Sequence, residues 1–352
     1  MQQEMQRSLG LINNKKFENA LNCIPQETPP IWLMRQAGRY HSHYQNLKKE
    51  HTFEELCKTP TLAAETALGP IRDFDFDVAI LFSDILFPLQ SLGLDLEYNP
   101  GPIFKEYLQP KHLNKKIDID SIVDTLKFQS EALKETRKLL PDEKSLVGFV
   151  GGPWTLLSFG TGIKQEIEVK DIPHNKFYEE LLYEVLIPVL HANIKMQFDS
   201  GAEIVYMFDT NAKQLDETYF LNTYLNKLHN ELFKSFRNKI GYFSKNISLN
   251  NLTNINEKLS LAGYVHASPS TFITGIQNNN MGFIQGCFSS ESLRKPFNDF
   301  TEDFEHYKSQ LINLTVEERA GWICSLDHGV LPKTPESNVK YFINNIRSTF
   351  SK

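Results

Sequence analysis

Residues 146–151 read LVGFVG, an apolar run without regular polar alternation, and the Gly-Gly-Pro at 151–153 then turns the chain. A strand exposed on one face would alternate, so an uninterrupted run points to a strand covered on both faces. Seven further runs of this kind recur: PIWLM (30–34), DVAILFS (77–83), EIVYMF (203–208), KIGYFS (239–244), LSLAGYVH (259–266), MGFIQG (281–286) and GWICSL (321–326). Helical patterns separate them. In SIVDTLKFQSEALKETRKLL (121–140), Ile122, Leu126, Leu133 and Leu140 share a face and Pro141 supplies a stop. The stripe in KFYEELLYEVLIPVLHANIKMQFDSGAE (176–203) runs past Pro188, which predicts a kink there, and Gly201 suits the C′ position.

Eight strand–helix units with right-handed crossovers can close on themselves, and the expectation is a (β/α)8 TIM barrel, α/β in class. One domain should span 1–352, with residues 1–28 as an N-terminal extension packed on the barrel. An open doubly wound sheet would carry a Gly-rich phosphate turn after its first strand, and RQAGRY (35–40) is no GxGxxG. The polar stretch 244–260 reads as a crossover with a short helix.

Bulk composition excludes several classes. The 352 residues are 41% hydrophobic and 23% charged, ordinary for a chain that buries a sizeable core. A net charge of -6 argues against general nucleic-acid binding, so capture of any anion must be local. Cys23, Cys57, Cys287 and Cys324 form no CxxC pair, and neither a disulfide framework nor a zinc knuckle is expected. The N-terminus lacks a leader pattern, and nowhere do about 18 apolar residues follow one another as a membrane span requires. The chain reads as cytoplasmic.

Chemistry in such a barrel gathers where the strands end. Arg35 and Arg39 follow the first run, Asp84 the second, Trp154 and Phe159 the third, Asp209 and Thr210 the fourth, Asp327 and His328 the eighth. Two guanidiniums offer planar, permanently charged donor forks suited to carboxylates. Gly38 between them permits close approach. The plainer reading pairs both arginines with acids on neighbouring loops. Asp84 stands in AILFSDILFP (79–88), where a carboxylate is costly unless it is hydrogen-bonded or faces a polar cavity. It could instead cap a helix starting near Ile85. Trp154 fits either a ligand wall or the core. His328 could bind a carboxylate or move a proton. The His41-x-His43 pair has no third ligand at a suitable spacing and reads as solvated loop.

Taken together, WLMRQAGRY (32–40), DVAILFSDIL (77–86), GGPWTL (151–156), FSK (243–245), IQG (284–286) and HGV (328–330) resemble the uroporphyrinogen decarboxylase family across nearly the whole chain. The resemblance implies a homodimeric barrel that removes carbon dioxide from the four acetate arms of uroporphyrinogen III without cofactor or metal. It also implies catalytic roles for Asp84, Arg35 and Arg39. Substrate contacts would come from Arg35, Gln36, Ala37, Gly38, Arg39, Asp84, Phe159, Thr210 and His328. Asp84 matches the aspartate that accepts the pyrrole N–H groups, and the arginines match those that hold carboxylates.

Three departures touch the expected rim. Phe159 stands where the family has Tyr, GYVHAS (263–268) where an Asp-Trp pair is usual, and QGCFSS (285–290) where Gly-Asn-x-Asp-Pro is usual. Two rivals follow. Corrinoid-dependent methyltransferases of related fold hold zinc through His-x-Cys and a later Cys, but His266-Ala267-Ser268 lacks that sulfur. A porphyrinogen-binding protein without turnover would also keep Arg35, Arg39 and Asp84.

Overall fold

In the computed structural model, the described residues are 11–98, 101–113, 117–163, 175–245 and 255–351. Seven parallel strands form one curled sheet, β1 (Val78–Ile80), β4 (Ser145–Gly151), β5 (Ile204–Phe208), β6 (Ile240–Phe243), β7 (Gly263–Val265), β8 (Phe283–Phe288) and β9 (Trp322–Leu326), each beside the next in that order. A separate antiparallel hairpin pairs β2 (Leu96–Tyr98) with β3 (Pro102–Phe104), an element the sequence reading did not anticipate. Its few residues carry too little periodicity to separate from a loop.

The expected strand at 30–34 is reduced to a single bridge, Ile31 to Cys324. It still closes the barrel. Cys324 N–H donates to the Pro30 carbonyl at 2.9 Å on one side, and Asp77 N–H donates to the Ile31 carbonyl at 2.9 Å on the other. Pro29 and Pro30 have no N–H to give, which keeps the ladder from growing. The Asp77 carboxylate takes up the Ile31 N–H at 2.8 Å and pairs with Lys16 at 2.6 Å. Two other runs are longer than their strands, 77–83 shrinking to 78–80 and 259–266 to 263–265, and the run at 281–286 slides to 283–288. In the two that shrink, Leu81, Phe82, Leu259, Leu261 and Ala262 are buried outside the ladder as loop or helix end, which hydrophobicity alone does not distinguish.

The barrel interior is filled by rings: Trp32 meets Tyr206 edge-on at 4.9 Å, and Tyr206 packs on Phe283 at 5.6 Å. Phe283 occupies the space that side chains at Gly241 and Gly263 would need, the large-against-small filling of a narrow barrel. Apolar residues from Ile12 to Phe350 join one buried cluster.

The expected kink at Pro188 takes the form of a π-helical stretch, Glu180–Leu186, between helical turns at Lys176–Glu179 and Ile187–Asp199. Gly201 sits at φ 100° beyond that end. The helix expected at 121–140 breaks into Ile119–Asp124 and Lys127–Leu139. Helix Lys15–Leu21 of the N-terminal segment is anchored where Asn14 N–H donates to Ser145 Oγ at 3.0 Å. Residues 1–10, and 246–254 of the polar crossover, lie outside the described residues, and Ile255–Leu259 supplies a short helix there. Among the described residues no helix is long and apolar enough to cross a membrane.

Candidate active site

Two adjoining cavities open where the strands end. The larger, about 680 Å³, falls within the ~300–1,000 Å³ of pockets that hold a sizeable organic ligand. The smaller, about 220 Å³, shares Arg35, Ala37, Phe82, Ser83 and Asp84 with it. Their linings differ in chemistry. Arg39, Lys48, Lys49 and His51 border the large cavity, whereas Phe82, Phe149, Phe208 and Phe243 surround the small one with Thr210 and His328. Glu50 and Glu55 also border the large cavity, so its charge is mixed with cations in excess, and the adjoining aromatic cavity suits the apolar body of a ligand with an anionic edge.

The loop carrying the arginines is a sequence of tight turns. Gln36 N–H donates to Leu33 C=O at 3.0 Å, and His41 N–H donates to Gly38 C=O at 2.9 Å. Arg35 adopts φ 59°, the left-handed region that costs a non-glycine residue. A Cβ at Gly38 would lie 2.7 Å from the Arg35 carbonyl oxygen, so the glycine is demanded by the loop itself rather than by a ligand's approach. A Cβ at Gly329 would meet the Arg35 side chain at 2.6 Å, and its absence leaves the guanidinium room. Burial, then the like charge of Arg39, pulls the Arg35 pKa down, and Asp84 opposes this. Among the described residues neither Arg35 nor Arg39 belongs to a salt bridge, so the plainer reading of loop ion pairs does not hold.

Asp84 lies beyond β1 on the wall common to both cavities. Its Oδ1 accepts the Leu86 N–H at 2.8 Å, a local turn cap. Helix Phe87–Ser91 begins only afterwards. Oδ2 accepts no hydrogen bond among the described residues and is not sealed from the cavity. Burial raises the carboxyl pKa, while the Leu86 N–H, the Tyr98 hydroxyl and Arg35 pull it back. His328 is pushed toward the neutral form by burial first and by Arg35 second, and its Nδ1 lies 3.3 Å from the Gly329 carbonyl.

A family model described as Uroporphyrinogen decarboxylase (URO-D) matches residues 12–349. The chain belongs to the uroporphyrinogen decarboxylase family. A uroporphyrinogen decarboxylase of Helicobacter pylori is 33% identical over 339 residues, covering 93% of this chain and 97% of that relative. One from Myxococcus xanthus is 36% identical over 233 residues, 62% of this chain and 65% of its own length. Among solved structures, a methyltransferase from Methanosarcina mazei superposes with TM-score 0.75 at 16% identity, covering 97% of this chain and all of that one. That likeness carries the α/β barrel fold alone.

Not every residue expected from the decarboxylase family pattern reaches the cavities. Ala37 and Gly38 line them; Gln36 does so in part, but its side chain is spent on Leu33 N–H at 3.2 Å and Val78 C=O at 3.0 Å. Phe159 lines neither and packs toward Phe104 at 6.5 Å. Trp154 is wholly buried, its Nε1 donating to Gln214 at 3.3 Å, and is core. Asp209 is wholly buried too. It accepts Thr155 N–H and Oγ1–H at 2.9 Å each, Tyr224 O–H at 2.6 Å and Tyr242 O–H at 3.2 Å, so it ties the helix at Pro153–Thr161 to the barrel instead of joining the rim. Asp327 caps Ser290 N–H at 2.8 Å.

The other two departures are interior. Val265, His266, Cys287 and Ser290 are buried in the wall and line neither cavity. Cys287 Sγ lies 3.2 Å from the His266 carbonyl, and burial pushes the Cys287 and Cys324 thiols well up, away from the thiolate that zinc requires. Among the described residues no group of three His, Cys, Asp or Glu side chains could hold a metal. His41, expected on a solvated loop, is fully buried with Nε2 2.7 Å from Asp73. The sequence reading missed Lys48, Lys49 and Tyr98. The lysines stood in plain view after Tyr44, but only the fold turns them toward Asp84's cavity.

Proposed function

We propose that the protein is a cytoplasmic uroporphyrinogen decarboxylase in which Arg35, Arg39, Asp84, Thr210 and His328 contact the macrocycle. The observation that carries this is Asp84: a half-buried carboxylate with one free oxygen, on the wall shared by a cavity bordered by Arg35, Arg39, Lys48 and Lys49 and a cavity lined by phenylalanines. Four pyrrole N–H groups converge at the centre of the substrate, and its carboxylates lie at the periphery. The free oxygen suits the first, and Arg35, Arg39 and Lys48 suit the second.

Protonating the pyrrole carbon beside an acetate arm makes the ring a cation that takes up the electrons left when carbon dioxide departs; the exocyclic methylene so formed then takes a proton to become the methyl group, and the ring carbon gives back the proton it received. The substrate is its own electron sink. Asp84, fixed by Leu86 N–H, stabilises that charge without reorganising. Arg35, or a water it holds, delivers the proton, and its lowered pKa favours the transfer. Family membership supports the reaction, and two of the three departures lie in the wall and line neither cavity. Family resemblance alone supports a homodimer and a single domain over the whole chain. Incubating the protein anaerobically with uroporphyrinogen III should release carbon dioxide and yield coproporphyrinogen III; tight binding without release would favour the binding-protein reading.

A further inference from the structure

We propose that Tyr98, on the β2–β3 hairpin, is a positioning residue for this reaction: its hydroxyl, unpaired among the described residues, donates to Asp84 once substrate fills the cavity and keeps the carboxylate aimed. The inference rests on Asp84 acting as the carboxylate that faces the pyrroles.

Tyr98 and Asp84 line the same cavity. The phenol oxygen is enclosed and meets no hydrogen-bond partner among the described residues, a condition native proteins rarely leave without purpose. Its ring cannot drift far, because Phe53 packs on it at 4.7 Å and Phe87 at 6.2 Å, while the backbone is paired opposite Pro102. The two groups already sense each other. Asp84's charge, after burial, raises the phenol pKa, and the phenol in turn lowers that of Asp84.

Asp84 needs such a donor. Leu86 N–H serves Oδ1 only, and burial drives the carboxyl toward the neutral form that could not steady a cationic ring. Phe159, packed toward Phe104 of the same hairpin, has no hydroxyl to offer. A bound macrocycle would exclude water from this wall and leave Asp84 with the phenol and Arg35 as its cavity-lining donors. A short strand with a tyrosine at its tip thereby sets the charge of a residue 14 positions earlier in the chain.

The test is Tyr98→Phe in the full chain, assayed with uroporphyrinogen III across pH. Removing one hydrogen bond to a charged group should lower kcat roughly tenfold. KM should stay within about twofold, and the acid limb of the kcat profile should move to higher pH, because Asp84 then holds its proton more tightly. An unmoved acid limb overturns the proposal, and a raised KM with an unmoved limb would assign the phenol to a substrate carboxylate instead. In an Asp84→Asn background the Tyr98 substitution should cost little more; full additivity also overturns the proposal. Carbon NMR titration of the Asp84 carboxyl gives the same direction of shift without turnover, so an inactive wild type would sink the functional reading and leave this inference decided separately.

Discussion

Replacing Asp84 by Asn separates charge from shape. The amide oxygen still accepts the Leu86 N–H now held at 2.8 Å, so the turn after β1 survives while the negative charge goes. A carboxylate about 4 Å from a cationic ring, at an effective dielectric near 20, is worth about 4 kcal/mol. The amide dipole recovers part of that, leaving a loss of roughly 10²–10³ in kcat, the size seen when a preorganised charge-stabilising group is removed. Stability should move the other way. Because burial raises the carboxyl pKa, the folded state holds a proton that the unfolded chain releases, and this group's contribution to stability falls as pH rises through that window. At neutral pH the Asn variant should therefore melt at or above the wild-type temperature. Carbon dioxide release and a thermal melt on the same preparation test both halves. Retained kcat would refute the electrostatic role, and a sharp drop in Tm with proportional loss of activity would show that Asp84 only holds the loop.

Arg39→Ala should raise KM roughly tenfold with kcat little changed, since it removes a charge-assisted contact at the mouth; an unaltered KM takes Arg39 out of the binding set. Asp209→Asn places an NH₂ against donors that now converge on the carboxylate, so it should cost about 1–3 kcal/mol; an unchanged melting temperature would mean that the cluster repacks freely. His266 is lowered by burial from 6.5 to about 4, so the unfolded chain binds a proton the folded one refuses, and stability should drop as pH falls from about 6.5 toward about 4. His266→Gln should flatten that part of a Tm-versus-pH curve, and an identical curve would assign the drop to other groups.

The barrel was legible in the chain because its strands are covered on both faces, which leaves unbroken apolar runs that survive without any partner in view. Cues of one or two residues carried the Pro188 irregularity and the Gly201 end as well. The site was legible only as far as residue chemistry goes. Arginines flanking a glycine, and a carboxylate inside an apolar stretch, announce cost that some ligand or partner must offset. What the sequence could not decide was which costly groups are satisfied internally. Asp84 and Asp209 follow strand-like runs in similar style, yet four donors from Thr155, Tyr224 and Tyr242 absorb Asp209, whereas Asp84 keeps an oxygen open. Phe159 leaves the cavity and Tyr98 enters it for the same reason. Local pattern sets what a segment becomes, but hydrogen bonding and burial between segments far apart in the chain depend on barrel closure, which only the tertiary structure supplies.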